Sequence, residues 1–120
     1  CVIFPGRISE QQKRDLLSRS TIFVNPSSKE GWGINNIEAN LCGTISISNN
    51  VEGLRDSVLD GVTGLLYEPE NIIDFCDKAE SVLVDVRKRN ELEKNALLRA
   101  KSLNWNEIAR RMKTEVQKAL

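Results

Sequence analysis

Between Asn25 and Thr44 the chain reads Asn-Pro-Ser-Ser-Lys-Glu-Gly-Trp-Gly-Ile-Asn-Asn-Ile-Glu-Ala-Asn-Leu-Cys-Gly-Thr, and no other stretch restricts the fold as much. The apolar run before it, residues 21–24, breaks at Pro26, which has no backbone N–H to give to a sheet. A glycine-bracketed turn carrying Glu30 follows. A helical pattern then begins at about Ile34 and stops at Gly43. Strand, loop, helix and glycine stop, in that order, are the opening of a βαβ unit. A helix entered through such a loop presents unpaired backbone N–H groups and the positive end of its dipole, which suit an anion such as a phosphate.

Two glutamates mark this stretch. On a 3.6-residue helix Ile34, Ile37 and Leu41 share one face, and Glu38 lies on the edge of that face. A carboxylate there needs a partner, because charged groups almost never bury unpaired. Three arrangements remain open: Glu38 accepts hydrogen bonds from ligand hydroxyls in a crevice, pairs with a lysine or arginine of another element, or snorkels to solvent.

A chain of 120 residues is one domain or part of one, small for an enzyme that must enclose two substrates. It opens at Cys1 and runs almost directly into Val2-Ile-Phe, so it is expected to be a piece of something longer. Seventeen basic and seventeen acidic residues leave no global field to draw nucleic acid or an acidic membrane surface. Cys1, Cys42 and Cys76 lack metal-ligand spacing, and there is no histidine, so neither a zinc site nor a histidine-dependent base is expected. The cysteines read most simply as reduced, which implies a cytoplasmic setting.

Taken in order, Val2-Ile-Phe reads as a short buried strand before Pro5-Gly6, with Arg7 at its carboxyl end. Ser9 and Gln12 form a capping box that starts a helix anchored by Leu16 and Leu17. Residues 21–24 give a second strand. Thr44-Ile-Ser-Ile-Ser alternates as a half-covered third strand would. Residues 54–59 have room for one or two helical turns, Asp60-Gly-Val-Thr-Gly64 is a turn, and Leu65-Leu-Tyr67 is a fourth strand. This alternation predicts a Rossmann-like α/β fold, a mainly parallel sheet with flanking helices.

From Asn71 onward the pattern is helical only. Ile72, Phe75, Cys76, Ala79, Val82 and Leu83 recur at helical spacing, then Leu92, Ala96 and Leu97. After a restart at Asn104 and Glu107, Trp105, Ile108, Ala109, Met112 and Val116 read as an inner face.

Glu30-Gly-Trp-Gly followed by Glu38-Ala, two glutamates separated by seven residues after Pro26-Ser27, resembles the E-x7-E signature of retaining glycosyltransferases of the GT-B fold, in the large group 1, family 4. Phe4-Pro-Gly6, Asn25-Pro-Ser27, Ala39-Asn-Leu-Cys-Gly43, Gly53-Leu-Arg-Asp56, Asp60-Gly-Val-Thr-Gly64 and Asn104-Trp105 resemble that family's landmarks in order. Together they cover nearly the whole chain. The sequence departs from the pattern where Gly43-Thr44-Ile45 lacks a proline, where Asp56 replaces a glutamate, and where Trp32 replaces phenylalanine or tyrosine.

The resemblance implies that residues 1–120 are the C-terminal, nucleotide-sugar-binding domain, with a helical C-terminal segment. The acceptor-binding N-terminal domain, and the arginine and lysine that grip the diphosphate, would lie outside this chain. Glu30 would contact donor-sugar hydroxyls near the reacting carbon as the catalytic glutamate, and Glu38 would accept from the ribose hydroxyls. Gly31, Trp32, Gly33 and Ile34 would lie against sugar and diphosphate, where a side chain at either glycine would obstruct the approach. Ser27 and Arg7 would lie near the nucleotide, Arg7 beside the base.

The donor would be a nucleoside-diphosphate sugar, with no other cofactor and no metal. The acceptor would be a glycan or a lipid-linked saccharide met through the other domain, which implies peripheral membrane association of the full-length enzyme. A non-catalytic nucleotide-sugar binding module is the rival reading. A dehydrogenase half or response regulator lacks its G-x-G-x-x-G or acidic cluster here.

Overall fold

The structure, a computed structural model, describes residues 1–103 and 105–119 and, within the last helix, the side chains of residues 106, 109, 110 and 113–118. The elements run α1 (Glu10–Arg19), β1 (Ile22–Asn25), α2 (Ile34–Leu41), β2 (Ile45–Asn49), α3 (Leu54–Ser57), β3 (Gly64–Tyr67), α4 (Ile72–Val84), α5 (Val86–Ser102) and α6 (Trp105–Ala119). Among the described residues the sheet has three strands in the order β1-β2-β3, all parallel. Ile22 stands opposite Ile45, and Ile47 opposite Leu65. This is the Rossmann-like α/β arrangement expected from the alternating elements, followed by a helical C-terminal segment.

The helix boundaries follow local chemistry. Ser9 Oγ accepts the Gln12 N–H at 3.2 Å while Gln12 Oε1 accepts the Ser9 N–H at 2.8 Å, completing the capping box. Gly43, at φ +83°, ends α2: its N–H donates to the Asn40 carbonyl and that of Thr44 to the Ala39 carbonyl. Asn71 Oδ1 accepts the Asp74 N–H, and Asp85 Oδ1 accepts the Lys88 N–H, so α4 and α5 each have a side-chain cap.

The core lies on one face of the sheet. Ile45, Ile47, Leu65 and Tyr67 form a buried cluster with Val82 of α4 and Leu92 of α5, edged by Ile22, Phe75 and Ala79. Each such side chain contributes about 1.5–3 kcal/mol on burial. The Phe75 ring meets Tyr67 edge-on at 5.2 Å. Ser46 and Ser48 point to the opposite face, toward α2. The alternation in β2 therefore does not mark a half-covered strand, for every residue of it is buried. Its polar face is covered by a helix that is itself polar there.

Other expectations are corrected. Residues 2–4 form no strand, and Phe4 is 89% exposed; without a ladder partner an isolated extended segment has nothing to satisfy its backbone or cover its side chains. Leu16 is exposed, and Leu17 with Thr44 ties α1 down instead, the Thr44 hydroxyl donating to the Leu17 carbonyl at 2.5 Å. In α4, Phe75, Ala79 and Val82 turn inward, whereas Ile72, Cys76 and Leu83 are exposed. In α5 the buried stripe is Leu92, Ala96 and Ala100. Ala109 and Val116 of α6 are exposed, and the placements foreseen for Asn104 and for the side chains of Trp105, Glu107, Ile108 and Met112 lie outside the described residues. No helix of the described residues is long and apolar enough to cross a membrane.

Candidate functional site

Parallel strands send their carboxyl ends to one edge, where open α/β sheets bind ligands. Here β1 ends at Asn25 and β2 at Asn49, and the loop of residues 26–33 crosses that edge. Ser27 fixes its start. The Ser27 N–H donates to Asn25 Oδ1 at 3.2 Å, and its carbonyl accepts from Asn49 Nδ2 at 3.3 Å. Oδ1 of Asn49, a side chain only 6% exposed, has no hydrogen-bond partner in the structure.

The loop's far end rests on α3. Gly33 adopts φ +74°, and a Cβ there would stand 2.6 Å from Ser57 Oγ and 2.8 Å from Leu54 Cδ2; a Cβ on Gly53, at φ +83°, would run into the backbone carbonyl of Glu30. Both positions require glycine for conformation and for contact. Gly31 differs from them: it is exposed, and a Cβ there would meet nothing within 4 Å. Gly33 thus serves packing within the protein, and open space adjoins only Gly31 of the two loop glycines.

A buried polar network pins α2 beneath the loop. Asn36 is fully buried; its Nδ2 donates to Ser57 Oγ at 2.9 Å, and its Oδ1 accepts from Ser48 Oγ at 3.2 Å and from Asn25 Nδ2 at 3.4 Å. Asn40, with its amide oriented to donate, bonds the carbonyls of Asn36 at 3.2 Å and Thr44 at 3.1 Å. The inner face of α2 is therefore Asn36, Ile37 and Asn40 with Ala39. Ile34, 63% exposed, and Leu41 face outward, against the face drawn from apolar spacing. Spacing had no means of weighting two asparagines above two aliphatic residues, although Asn36 and Asn40 at i, i+4, with serines two apart in β2, are a matched pattern legible in the sequence.

On the outward side of α2, Glu38 meets α1. Lys13 Nζ donates to both of its carboxylate oxygens, at 3.1 and 3.2 Å, and lies 3.2 Å from Glu10 Oε2. These contacts, Glu38 first and Glu10 second, raise the pKa of Lys13 above its ordinary 10.5. Of the three arrangements open for Glu38, pairing with a lysine of another element is the one found. The pair borders a cavity of about 200 Å³ lined by Glu10, Lys13, Arg14, Leu17, Leu41 and Cys42.

Glu30, half-buried, borders a different and larger cavity of about 480 Å³, with Ser28, Lys29, Gly31, Glu52, Gly53 and Asp56. The structure thus opens the two glutamates onto two cavities. Trp32 and Ile34 are exposed and line neither, and Arg7 is exposed with no strand before it. Lys13 and the Asn36 network were not singled out from the sequence, and neither was Arg99. From α5, Arg99 donates to the carbonyls of Ser57 at 2.8 Å and Asp56 at 2.6 Å, holding the end of α3. Burial lowers its pKa, with Asp56 opposing. No group of residues among those described has the makings of a metal site.

Residues 1–99 match the family model described as glycosyl transferases group 1. The chain is 34% identical over 88 residues to D-inositol 3-phosphate glycosyltransferase of Paenarthrobacter aurescens, a match covering 73% of the chain and 22% of that protein. Sucrose-phosphate synthase from Thermosynechococcus elongatus superposes with a TM-score of 0.84 at 31% identity, over 98% of the chain and 30% of the synthase. HepE from Anabaena, in a complex with UDP-glucose, superposes with a TM-score of 0.72 at 22% identity, over 88% of the chain and 29% of its own, a likeness of fold. The chain therefore spans less than a third of the length of each.

Proposed function

The chain belongs to the group 1 glycosyl transferases, and on that footing we propose that it forms the C-terminal, donor-binding half of a retaining GT-B enzyme. The reaction is transfer of a sugar from a nucleoside diphosphate to a glycan or lipid-linked acceptor. Acceptor binding and the cationic grip on the diphosphate belong to the remainder of the protein.

One observation carries this reading. The loop leaving β1 at the carboxyl edge is fixed to α3 through Gly33 and Gly53, and it holds Glu30 beside a cavity with open space at Gly31. A carboxylate is an acceptor-only group, suited to a ligand rich in hydroxyl donors. Glu30 orients the donor sugar and supports positive charge as the glycosidic bond to the nucleotide breaks through an oxocarbenium-like state. Glu38, on α2 toward α1, accepts from the ribose hydroxyls. Backbone from Gly31 to Ile34, with the N-terminus of α2, faces the diphosphate, while Ser27 and Arg7 lie toward the nucleotide.

The test is made on the full-length protein. Among UDP, GDP and ADP sugars, the cognate donor raises the melting temperature because it binds the native state alone. Glu38→Ala weakens nucleotide binding, and Glu30→Ala lowers turnover more than nucleotide affinity. Indistinguishable effects of the two would remove the separate roles. Donor binding by a full-length protein that never transfers sugar would favour the non-catalytic module.

A further inference from the structure

Lys13 makes a contact that the proposed donor site leaves unexplained. Its ammonium is 3.1 Å from Oε1 and 3.2 Å from Oε2 of Glu38. A cation nearly equidistant from the two oxygens lies in the fork of the carboxylate. Two hydroxyls on adjacent carbons engage a carboxylate best through the same fork, one donor to each oxygen. The lysine and a vicinal diol therefore compete for one position.

We propose that Lys13 is an affinity-setting residue of the nucleotide site: it occupies the fork of Glu38 and must be displaced by the two adjacent hydroxyls of a ribonucleotide, so that it lowers the affinity for ribonucleotides and narrows their preference over 2′-deoxyribonucleotides. The inference rests on the reading of Glu38 as the ribose ligand. A single hydroxyl gains one hydrogen bond against the loss of a charge-assisted contact, whereas two make up for it.

Glu10 makes the exchange feasible. It stands three residues before Lys13 on α1, with its Oε2 already 3.2 Å from the ammonium, so a lysine released by Glu38 keeps a carboxylate partner. The Lys13 and Glu38 side chains are 33% and 34% exposed, and ion pairs this open to water are weak enough to exchange. Arg14, which lines the same cavity, is bonded to Gln11 Oε1 at 3.3 Å, so Lys13 is the cation seen on the fork.

The experiment measures affinities of UDP and 2′-deoxy-UDP for the full-length protein by calorimetry, in wild type, Lys13→Met, Lys13→Arg and Glu38→Gln. UDP is the first probe because the Anabaena neighbour is in a complex with UDP-glucose. Lys13→Met keeps the aliphatic stem and removes the charge. It is expected to tighten UDP about two- to fivefold, the size of one half-exposed ion pair, and to tighten 2′-deoxy-UDP, whose single hydroxyl can then reach Glu38, by less, so that the ratio of the two affinities rises.

Lys13→Arg, which keeps a cation in the fork, retains the wild-type ratio. A ratio in Lys13→Met that is unchanged or falls overturns the proposal, whatever the separate affinities do, because loss of a general electrostatic or structural contribution moves both ligands together. Glu38→Gln tests the footing separately: if the preference for UDP survives in it, Glu38 is not the ribose ligand and both readings fail. Should wild type bind no UDP, the GDP and ADP pairs replace it; binding of none overturns both.

Discussion

Asn36 joins three elements through one amide. Its carbonyl oxygen accepts from Ser48 of β2 and Asn25 of β1, and its nitrogen donates to Ser57 of α3, all within the buried face. Replacing it by alanine strands three partners and leaves a cavity, so Asn36→Ala is expected to cost about 2–4 kcal/mol. A shift of the denaturant midpoint with unchanged slope checks this, and a loss below about 0.5 kcal/mol would show that water replaces the amide. Single residues are also where the sequence was least transparent. Glu38 stood out as a carboxylate beside apolar residues, yet which cation met it depended on α1 lying across α2, a tertiary fact that no local spacing encodes. Glu30 was placed on a loop and is on one. That a Cβ on Gly33 would meet Leu54 and Ser57 follows from how α3 packs on the loop, which no local spacing encodes.

At the scale of elements, α3 is the weakest piece with the most central position. Four residues cannot sustain a helix alone, yet α3 backs the loop that carries Glu30. Its last carbonyls are held by Arg99 of α5, 42 residues from Ser57 in sequence. Arg99→Met keeps the stem and removes both donors, so amide exchange in residues 54–58 should quicken, with a global loss of about 1–2 kcal/mol. Protection unchanged from wild type would mean that packing of Leu54 alone holds α3. Elements with a specific end signal were legible: the capping box of α1 and the glycine stop of α2 stand where the residues put them, and α4 begins right after Asn71, where the helical pattern starts. Faces were less so. In α4, Ile72, Ile73, Phe75, Cys76, Ala79, Val82 and Leu83 satisfy more than one helical stripe, and only the sheet chose Phe75, Ala79 and Val82. A strand at residues 2–4 failed for a related reason, since an apolar run becomes a strand only beside another.

For the whole molecule, the sheet has two unlike faces, an apolar one against α4 and α5 and a polar one against α2, and Tyr67 is the titratable group of the apolar one. Burial raises its pKa above the ordinary 10.0, because the phenolate loses hydration that the core does not replace. Lys13, on the other side of α2, is also raised above its usual value, by Glu38 first and then Glu10. In both cases the folded chain holds its proton to higher pH than the unfolded chain. The slope of stability with pH follows the difference in bound protons, unfolded minus folded, and above about pH 10 that difference is negative. Stability is therefore full below the ordinary tyrosine value and declines as pH rises through the folded pKa values. This chain has one tyrosine, so phenolate absorbance reports Tyr67 alone: it should titrate later in the folded chain than in denaturant. Tyr67→Phe keeps the edge contact with Phe75 and removes the ionisation. Its denaturant midpoint should fall less than that of the wild type between about pH 8 and pH 11. Parallel losses in the two chains would assign the alkaline limit to the Lys13 contacts between α1 and α2 instead of to the core, a division that Lys13→Met, losing those contacts at every pH, would then have to reproduce.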